Sequence, residues 1–404
     1  MAQHGSKLAS LSPELIEKIL LATDFEDRYT CLFLCKSIGA IAAGRPLYQH
    51  IRLENSMIAS STLQAMVQRP WAGKYIESIR YQDRCGHEED GSKEQACEIT
   101  CISTVVAPLI YLAPNLAYLS VCAMSSFAIS AFKTAVLSFK VLRTLVLDHM
   151  PEGSIGFRSL TWSEMSEVVG KLPALQELLL YHMPAEDFQF PSVNLRTLLM
   201  RNCDITPSQF AQLLSATGAN LRYLVCKELK TVDAATLIET IAHACPHLIY
   251  FDVAISPSVI LPSRMDDWPK KLTALQELML DGVLVSPGLL LSIPSNIQVL
   301  GLGNCNHLGW IAALMTRNSP SLKRLRLKEI GTISQREKDL LQVSPSLCGG
   351  KLRLTPTLYR RSARIPQWLL SGSGSTGRFL PQRSCVRTSL TSENGLIFFG
   401  NADL

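Results

Sequence analysis

One short phrase, repeated along most of the chain, constrains the fold more than any other feature of the sequence. Its clearest copy runs from Leu195 to Ile205 and reads LRTLLMRNCDI. The residues predicted to point into a core are Leu195, Leu198 and Met200, because side chains alternate along a short strand. The chain then turns at Asn202-Cys203, where a short side chain can hydrogen-bond the backbone. Thr206-Pro207 follows as a helix cap and a first helical residue.

The same phrase starts nine times. The first residues of the copies are Leu116, Leu142, Leu175, Leu195, Leu221, Leu248, Leu275, Ile297 and Leu322. The steps between them are 26, 33, 20, 26, 27, 27, 22 and 25 residues, and most lie in or beside the range of ~20–29 typical of leucine-rich repeats. Helix-like runs at 163–172, 207–214, 233–244 and 308–315 separate the strands. Strand and helix units that cannot bury their apolar faces alone, stacked about nine times, form a solenoid.

Composition and motifs narrow the class of protein. The chain has 404 residues, 47% of them hydrophobic, and a solenoid adds core with each repeat, so this length needs no second globular domain. There is no apolar secretory segment at the start and no N-x-S/T glycosylation acceptor. The twelve cysteines are scattered without a disulfide spacing. We therefore expect reduced thiols and a cytoplasmic or nuclear location.

Charge and hydropathy argue against nucleic acid and membrane partners. The net charge is +5, but residues 346–404 carry +6 and the remainder carries −1, so no basic nucleic-acid face is expected on the repeats. The run from Ile99 to Phe132 has 34 uncharged residues and includes Pro108 and Pro114. Because a spanning helix would have to absorb both prolines, a buried helix followed by a strand is predicted instead.

Residues 7–53 are built differently from the repeats. Ser12-Pro13-Glu14 predicts a helix start, with a cap, a proline in the first turn and an acid near the positive end of the helix dipole. The phrases that resemble an F-box are L-x-P-E from Leu11, I-x-x-I-L from Ile16, L-x-L-C-K-S from Leu32 and R-P-L-Y-x-H-I-x-L from Arg45 to Leu53. The sequence departs from that family at Ile38-Gly39, where many members carry a tryptophan or another large residue.

The resemblance implies a substrate receptor that has no chemistry of its own. F-box proteins dock on a Skp-type adaptor, which links them to a cullin and to a RING subunit carrying the ubiquitin-conjugating enzyme. The repeats would hold a protein substrate, and no cofactor is implied. The residues that the resemblance assigns to the adaptor are Leu11, Pro13, Ile16, Ile19, Leu20, Leu32 and Cys35. Each could instead pack inside its own module, but an exposed apolar patch on so small a unit is typical of a partner interface.

Two other segments contain motifs that resemble a metal site and a nucleotide-binding loop, but neither motif supports such a site. Residues 82–98 are polar and predict an insertion at one edge of the solenoid. The side chains near it that could bind a metal are Cys85, His87, Cys97 and Cys101, but their spacing matches no zinc pattern, so no metal site is predicted. Residues 346–404 predict a basic, poorly ordered tail, or an error at the end of the gene model. The G-x-G-x-x-G at 372–377 lies in this tail as a linker, since Pro381 argues against a following helix.

The strands are predicted to line a concave face, where the positions between buried leucines point outward. The polar residues at these positions are Asp148, His149, Glu177, Tyr181, Arg201, Tyr223, Lys227, Tyr250, Asp252, Glu277, Asp281, Arg324, Arg326 and Lys328. We predict that the substrate binds Tyr181, Arg201, Tyr223, Lys227, Tyr250, Asp252, Arg324 and Arg326. Tyrosine is favoured at interface hot spots. The alternative is that each of these residues only forms the solvated side of a sheet.

The predicted fold class is α/β: a small all-α F-box module at 7–53, then a leucine-rich-repeat solenoid (horseshoe) of nine to ten irregular repeats at 54–345. The predicted function is the substrate-recognition subunit of a Skp–cullin–F-box type E3 ubiquitin ligase, not an enzyme. The alternatives are an interaction scaffold that directs no ubiquitination and a metal-dependent enzyme using Cys85, His87, Cys97 and Cys101. No H-E-x-x-H, G-x-S-x-G or P-loop motif occurs.

Overall fold

Eleven parallel strands form one open sheet in the computed structural model of the chain, and they follow one another in chain order. The structure describes residues 11–23, 28, 30–31, 34–53, 56–81, 102–121, 124–149, 157–158, 160–186, 189–230, 232–260, 266–284, 286–303 and 321–328. The strands of the sheet are β1 His50–Leu53, β2 Ser78–Tyr81, β3 Tyr118–Val121, β5 Thr144–Asp148, β7 Glu177–Tyr181, β8 Thr197–Arg201, β9 Tyr223–Lys227, β10 Tyr250–Ile260, β11 Glu277–Leu284, β12 Val299–Gly303 and β13 Arg324–Lys328. A separate antiparallel pair consists of β4 Met124–Ser125 and β6 Phe157–Arg158.

The nine predicted repeat strands are all present. Each begins two residues after the first leucine or isoleucine of its phrase. The pairing keeps the phrases in register, so that Leu178, Leu198 and Leu224 are aligned across three neighbouring strands. Parallel pairing requires a crossover after each strand, which the helices and turns of the repeats provide. The predicted α/β leucine-rich-repeat solenoid is therefore confirmed.

The sheet begins earlier in the chain than the nine phrases predict. β2 lies in the irregular repeat suggested by the pattern from Tyr75 to Tyr81, and β1 is formed by the last residues of the F-box-like stretch. The carbonyl oxygen of Gln49 accepts hydrogen bonds from the amides of Glu77 and Ser78, each at 3.0 Å. The N-terminal helices therefore run directly into the sheet.

A continuous row of apolar side chains forms the core between strands and helices. Leu195, Leu198 and Met200 are each 0% exposed, as their inward position predicts, and Phe210 of the following helix is buried with them. Each such side chain contributes about 1.5–3 kcal/mol by leaving water. Because neighbouring repeats share this core, none of them needs a core of its own.

The helices occupy the segments between strands. Their bounds are α1 Pro13–Ala22, α2 Lys36–Ala42, α3 Arg45–Tyr48, α4 Ser56–Gln68, α5 Ile102–Tyr111, α6 Ser126–Val136, α7 Trp162–Gly170, α8 Pro207–Thr217, α9 Ala234–Ala244, α10 Trp268–Lys271 and α11 Pro287–Ser292. Three of the four predicted helical runs correspond to α7, α8 and α9, and the fourth, at 308–315, lies outside the described residues. α8 begins with a capping box, in which Thr206 Oγ1 accepts from the Gln209 amide at 3.3 Å and Gln209 Oε1 accepts from the Thr206 amide at 2.9 Å.

The capping box of α8 gives a first testable prediction. Thr206→Ala should lower the free energy of unfolding by about 1 kcal/mol, because the side-chain acceptor at the helix start is lost. Urea unfolding would measure the change. Thr206→Ser should keep most of the stability, and Gln212→Ala, an exposed change within the same helix, should lie within about 0.5 kcal/mol of the wild type. Equal stability of the Thr206→Ala variant and the wild type would contradict the capping role.

The N-terminal helices α1 and α2 contribute a small apolar cluster of their own. Its buried members are Ile16, Leu20, Ile38 and Ala42, with Leu11, Cys31 and Ile41 packed against them. Ile38, which is part of the departure from the F-box pattern, is thus a core residue of this cluster. α1 begins at Pro13 as predicted, but the Ser12 side chain makes no capping hydrogen bond. A cluster of this size gives little stability on its own.

The long uncharged run folds as the sequence predicts. Within it, α5 is followed by β3, and Leu109 and Ile110 of α5 are buried. In the described ranges, no helix combines the length and apolar character needed to cross a membrane.

The cysteines described within the repeats are unreactive core residues. Cys203, Cys226 and Cys245 are buried, and none of them forms a disulfide. Burial raises the pKa of the Cys203 and Cys245 thiols to about 12 and that of Cys226 well above its usual value. A thiol held protonated in this way acts as a small apolar group.

Candidate protein-binding surfaces

The face of the sheet opposite the core carries rows of side chains, because the first, third and fifth residues of each strand point the same way. We call this surface the open face. Its central row from β5 to β11 consists of Val146, Leu179, Leu199, Val225, Asp252 and Met279. All six side chains are buried. Asp252 is therefore a single carboxylate in an apolar row.

Asp252 is held by two neighbours on the open face. Its side chain is 5% exposed, and Lys227 Nζ lies 2.8 Å from Oδ2. The hydroxyl of Tyr250 donates to the same oxygen at 3.1 Å, while Oδ1 has no hydrogen-bond partner among the described residues. A buried charge of this kind depends on its partner, because an uncompensated carboxylate is costly away from water.

Two predicted anchors, Tyr223 and Tyr250, lie side by side in the first row of the open face. Their ring centroids are 6.3 Å apart, with 34° between the ring planes. Tyr223 is half-buried, whereas Tyr250 is only 4% exposed because it packs against Tyr223 and reaches down to Asp252. Tyr250 and Asp252 therefore lie on the open face but are covered. Tyr223 and Lys227 are the parts of this cluster that a partner can touch.

The fifth row of the open face brings together Tyr181, Arg201 and Lys227 on three neighbouring strands. Burial raises the pKa of Tyr181 to about 12, with smaller contributions from Tyr118 and Asp148. The phenol therefore stays neutral and can donate a hydrogen bond. Arg201 is half-buried and lies 4.0 Å from the Glu228 carboxylate. All three sequence-predicted residues are thus adjacent on one surface.

Of the residues directly after three strands, the sequence predicted a turn only at Asn202. His182, Asn202 and Glu228 have φ values of 55°, 53° and 55°, in the left-handed region. His182 Nδ1 lies 3.0 Å from Asp148 Oδ1, and Asn202 Nδ2 lies 3.1 Å from His182 Nε2. The signal in the sequence was the repeat position of Asn202 at the turn, since asparagine tolerates this conformation.

The basic residues at the end of the repeats are placed only in part. Arg324 is half-buried in the first row of β13. Arg326 and Lys328 belong to the same strand, but their side chains lie outside the described residues. The basic cluster of this strand stays a prediction.

The N-terminal helices leave several large apolar side chains in contact with solvent. Leu15, Ile19 and Leu34 are 48%, 41% and 57% exposed. Leu15 and Ile19 are four residues apart and so lie on one side of α1. Of the predicted adaptor residues, Pro13, Ile19 and Cys35 are exposed and Leu11 is partly buried, while Leu32 lies outside the described residues.

Two of the predicted adaptor residues are buried within the helices. Ile16 and Leu20 are 3% and 2% exposed, because they face Ile38 and Ala42 inside the unit. They shape the helical face from beneath and do not form its surface. Leu15 and Leu34, which were not among the predicted adaptor residues, are also exposed. We call Leu15, Ile19 and Leu34 the exposed helical patch.

The candidate metal ligands Cys85, His87, Cys97 and Cys101 lie outside the described residues, as does the tail at 346–404. Within the described ranges, no three histidine, cysteine or acidic side chains are placed to hold a metal ion.

No protein-family model matches the sequence, and no curated protein matches it. Several solved structures are similar to the chain. Internalin InlF of Listeria monocytogenes is 14% identical over 66% of this chain and 72% of that one, with a TM-score of 0.35. The leucine-rich-repeat protein LegL7 of Legionella pneumophila is 10% identical over 73% and 87%, with a TM-score of 0.38. The yeast Rad7–Elc1 complex gives 9% identity over 80% and 90%, with a TM-score of 0.42. These likenesses concern the fold alone.

Proposed function

We propose that this chain is the substrate-recognition subunit of a Skp–cullin–F-box type ubiquitin ligase. The N-terminal helices would bind the Skp-type adaptor, and the open face would bind the protein substrate. The observation that carries the proposal is the exposed helical patch on a unit whose own small core is already filled by Ile16, Leu20, Ile38 and Ala42. Large apolar side chains kept in water on so small a unit are typical of a surface that a partner covers.

The direct connection between helices and sheet supports this division of roles. β1 follows α3 without a linker, and the Gln49 carbonyl is hydrogen-bonded to the start of β2. An adaptor bound to the helices would therefore hold the first strands of the open face in a defined orientation. Ubiquitin transfer would be performed by the partner subunits, so this chain would need no catalytic residue.

The adaptor contact can be tested with two charge substitutions. Leu15→Glu combined with Ile19→Glu should weaken co-purification with the Skp-type adaptor by about 100-fold or more, because buried apolar anchors at an interface often cost 2 kcal/mol or more each when lost. Val67→Glu is the matched control, since Val67 is 62% exposed and belongs to α4, which is not one of the N-terminal helices. Deletion of residues 1–53 is a poorer test because it removes β1 from the sheet. Full adaptor capture by the double variant would contradict the proposal.

The substrate contact can be tested at Tyr223, the accessible ring of the tyrosine pair. If the chain recruits substrates for ubiquitin transfer, the same proteins should gain half-life in cells carrying Tyr223→Ala and in cells carrying the adaptor variant. We expect the loss of one aromatic anchor to reduce substrate capture by about tenfold or more. The exposed change Lys230→Ala should have no effect.

The alternative function, an interaction scaffold that directs no ubiquitination, makes a different prediction in the same experiment. Tyr223→Ala would then reduce capture of the partner while leaving its half-life unchanged. Tyr181, Arg201 and Lys227 lie side by side in the fifth row of the open face, and Tyr223 lies on the same face in the first row. This arrangement favours partner binding in either case.

A further inference from the structure

The edge of the sheet at which the strands begin is rich in basic side chains. We call the seven residues before each strand of the sheet from β2 onward the lead-in segments, and the edge that they form the lead-in edge. Its basic residues in the described ranges, all exposed except one that is half-buried, are Lys74, Lys140, Arg143, Lys171, Arg196, Arg222, Lys270, Lys271 and Lys323. Glu77 is the one acidic residue described there. The chain outside residues 346–404 has a net charge of −1, so the fold gathers its cations at this edge.

The pairing of the strands holds these cations in a row. The amide of Arg143 donates to the Ala117 carbonyl at 2.8 Å, and the Arg143 carbonyl accepts from the Gln176 amide at 2.9 Å. The residues that continue this ladder, each directly before its strand, are Arg196, Arg222, Ile249, Gln276, Gln298 and Lys323. Neighbouring strands lie about 4.8 Å apart, so the positions in the row are evenly and closely spaced.

Most of the lead-in cations have no carboxylate to balance them. Within the described ranges, the acids that pair with them are Glu167, with Lys171 at 2.7 Å, and Asp267, with Lys270. Glu77 is paired with an arginine of α3 at 2.9 Å. The other seven lead-in cations make no ion pair with a carboxylate that the structure describes. The field at this edge is therefore positive.

The opposite edge of the sheet, where the strands end, carries the other sign. The charged residues described within seven positions after β7, β8 and β9 are four acids, Glu186, Asp204, Glu228 and Asp233, and one cation, Lys230. A molecule whose charges are separated in this way is turned by an anionic surface until its basic edge faces that surface.

The lead-in segments of β2, β3 and β5 also expose large apolar side chains. Trp71, Tyr111 and Leu137 each lie seven residues before the strand that follows them, and they are 48%, 53% and 64% exposed. Val141, three residues before β5, is 41% exposed. Because the three strands are paired in register, the first three side chains occupy equivalent positions in neighbouring repeats.

Cations and apolar side chains are mixed at this end of the lead-in edge. Lys74 and Lys140 lie four residues before β2 and β5. The Asn115 side chain donates to the Lys74 carbonyl at 2.7 Å, so the segments before β2 and β3 are in direct contact. Exposed tryptophan, tyrosine and leucine beside lysine and arginine are typical of a surface that lies on a membrane.

We propose that the lead-in edge binds the surface of an anionic phospholipid membrane. Trp71, Tyr111 and Leu137 enter the headgroup layer, and the cations beside them contact the anionic headgroups. This mode of binding needs no membrane-spanning helix. It goes beyond the proposed function, because it brings the open face and the N-terminal helices to a membrane whether or not an adaptor is bound.

The apolar side chains favour a membrane over a nucleic acid or an acidic protein. Single-stranded nucleic acids are held by aromatic ring faces on which the bases stack. Leu137 and Val141 have no ring, and the Trp71 ring already packs edge-to-face with Tyr48 and Tyr75, at centroid distances of 6.2 Å. A highly charged acidic chain would leave these side chains in water, whereas a membrane offers an anionic surface with an apolar layer beneath it.

The test measures co-sedimentation of the full chain with lipid vesicles. Vesicles of phosphatidylcholine with about 30% phosphatidylserine should bind the chain, and vesicles of phosphatidylcholine alone should not, because the attraction requires anionic lipid. Lys140→Gln and Arg143→Gln should each weaken binding about fivefold, the loss expected for one basic side chain near the surface. Lys230→Gln, which removes an exposed cation from the opposite edge, should leave binding unchanged.

A second variant separates insertion into the headgroup layer from attraction between charges. Leu137→Gln should weaken binding about fivefold at unchanged net charge, because an apolar side chain no longer enters the layer. Val67→Gln is the matched control, since Val67 is 62% exposed on α4 and lies outside the lead-in segments. The substituted side chains are all exposed, so each variant should unfold at the temperature of the wild type, which shows that a loss of binding is not a loss of folding.

Several outcomes would overturn the proposal. Equal binding to vesicles with and without phosphatidylserine would exclude the charge attraction. If residues 346–404, with their net charge of +6, held the vesicles, the lead-in variants would bind like the wild type. A single strand of about 20 nucleotides that binds more tightly than the vesicles, with no effect of Leu137→Gln, would assign the edge to a nucleic acid. Polyglutamate that does the same would assign it to an acidic protein. No adaptor is present in these assays, so their result does not depend on that of the adaptor test.

Discussion

Lys227→Met should lower the free energy of unfolding by about 3 kcal/mol, because it leaves the buried carboxylate of Asp252 without its cation. Lys227 Nζ lies 2.8 Å from Asp252 Oδ2, and the Asp252 side chain is only 5% exposed. The hydrogen bond from the Tyr250 hydroxyl remains, but a neutral donor does not balance a charge in an apolar row. Urea unfolding would measure the loss.

The pair can be separated from the rest of the cluster by a double variant. Lys227→Met combined with Asp252→Asn should recover about 2 kcal/mol or more, because the buried charge is removed together with its partner. Lys230→Met, an exposed change three residues away, should stay within about 0.5 kcal/mol of the wild type. A Lys227→Met variant as stable as the wild type would show that Asp252 is neutralised in another way.

Gly282→Ala should lower the free energy of unfolding by about 3 kcal/mol or more, because two independent effects oppose a side chain at this residue. Gly282 has a φ of 74°, in the left-handed region. This conformation is less stable by about 1–2 kcal/mol for a residue with a side chain. An added methyl group would also lie 1.9 Å from the carbonyl oxygen of Ile255. That carbonyl belongs to β10 where its pairing with β11 is irregular, between Ala254 and Val259, so relief would require the two strands to separate locally.

The left-handed conformation alone does not exclude a side chain in this fold. His182, Asn202 and Glu228 occupy the equivalent position after β7, β8 and β9, with φ near 54°. At Gly282 the approach of the Ile255 carbonyl is the additional constraint. Gly170→Ala is the matched control, because the nearest atom to its added methyl group is a Pro191 side-chain carbon at 3.3 Å. Thermal unfolding of both variants would measure the difference. We expect Gly170→Ala to change stability by less than about 1 kcal/mol, and a Gly282→Ala loss no larger than this would refute the steric argument.

Part of the candidate site could be read from the sequence because repeat phrases are local. The phrase beginning at Leu221 predicted that Tyr223 and Lys227 point away from the core, and the strand places them there. The phrase did not show that Tyr250 folds down against Asp252, because burial of an outward-pointing residue depends on its neighbours on other strands. The same limit explains why Ile16 and Leu20 were predicted as adaptor contacts although they are buried within their own helical unit. An apolar helical stripe shows that one side is covered, but not whether the helix's own unit or a partner covers it.

The sequence alone determined the repeating α/β architecture, the start of nine strands and the inward positions of their leucines. These features depend on periodicity within about ten residues and on capping at helix starts, as at Thr206. The tertiary structure decided what distant strands bring together: the Asp252–Lys227 pair, the row of cations along the lead-in edge and the joining of the N-terminal helices to the sheet. Parallel pairing sets the register between residues more than twenty positions apart, and that register is a property of the stacked core and not of any single phrase.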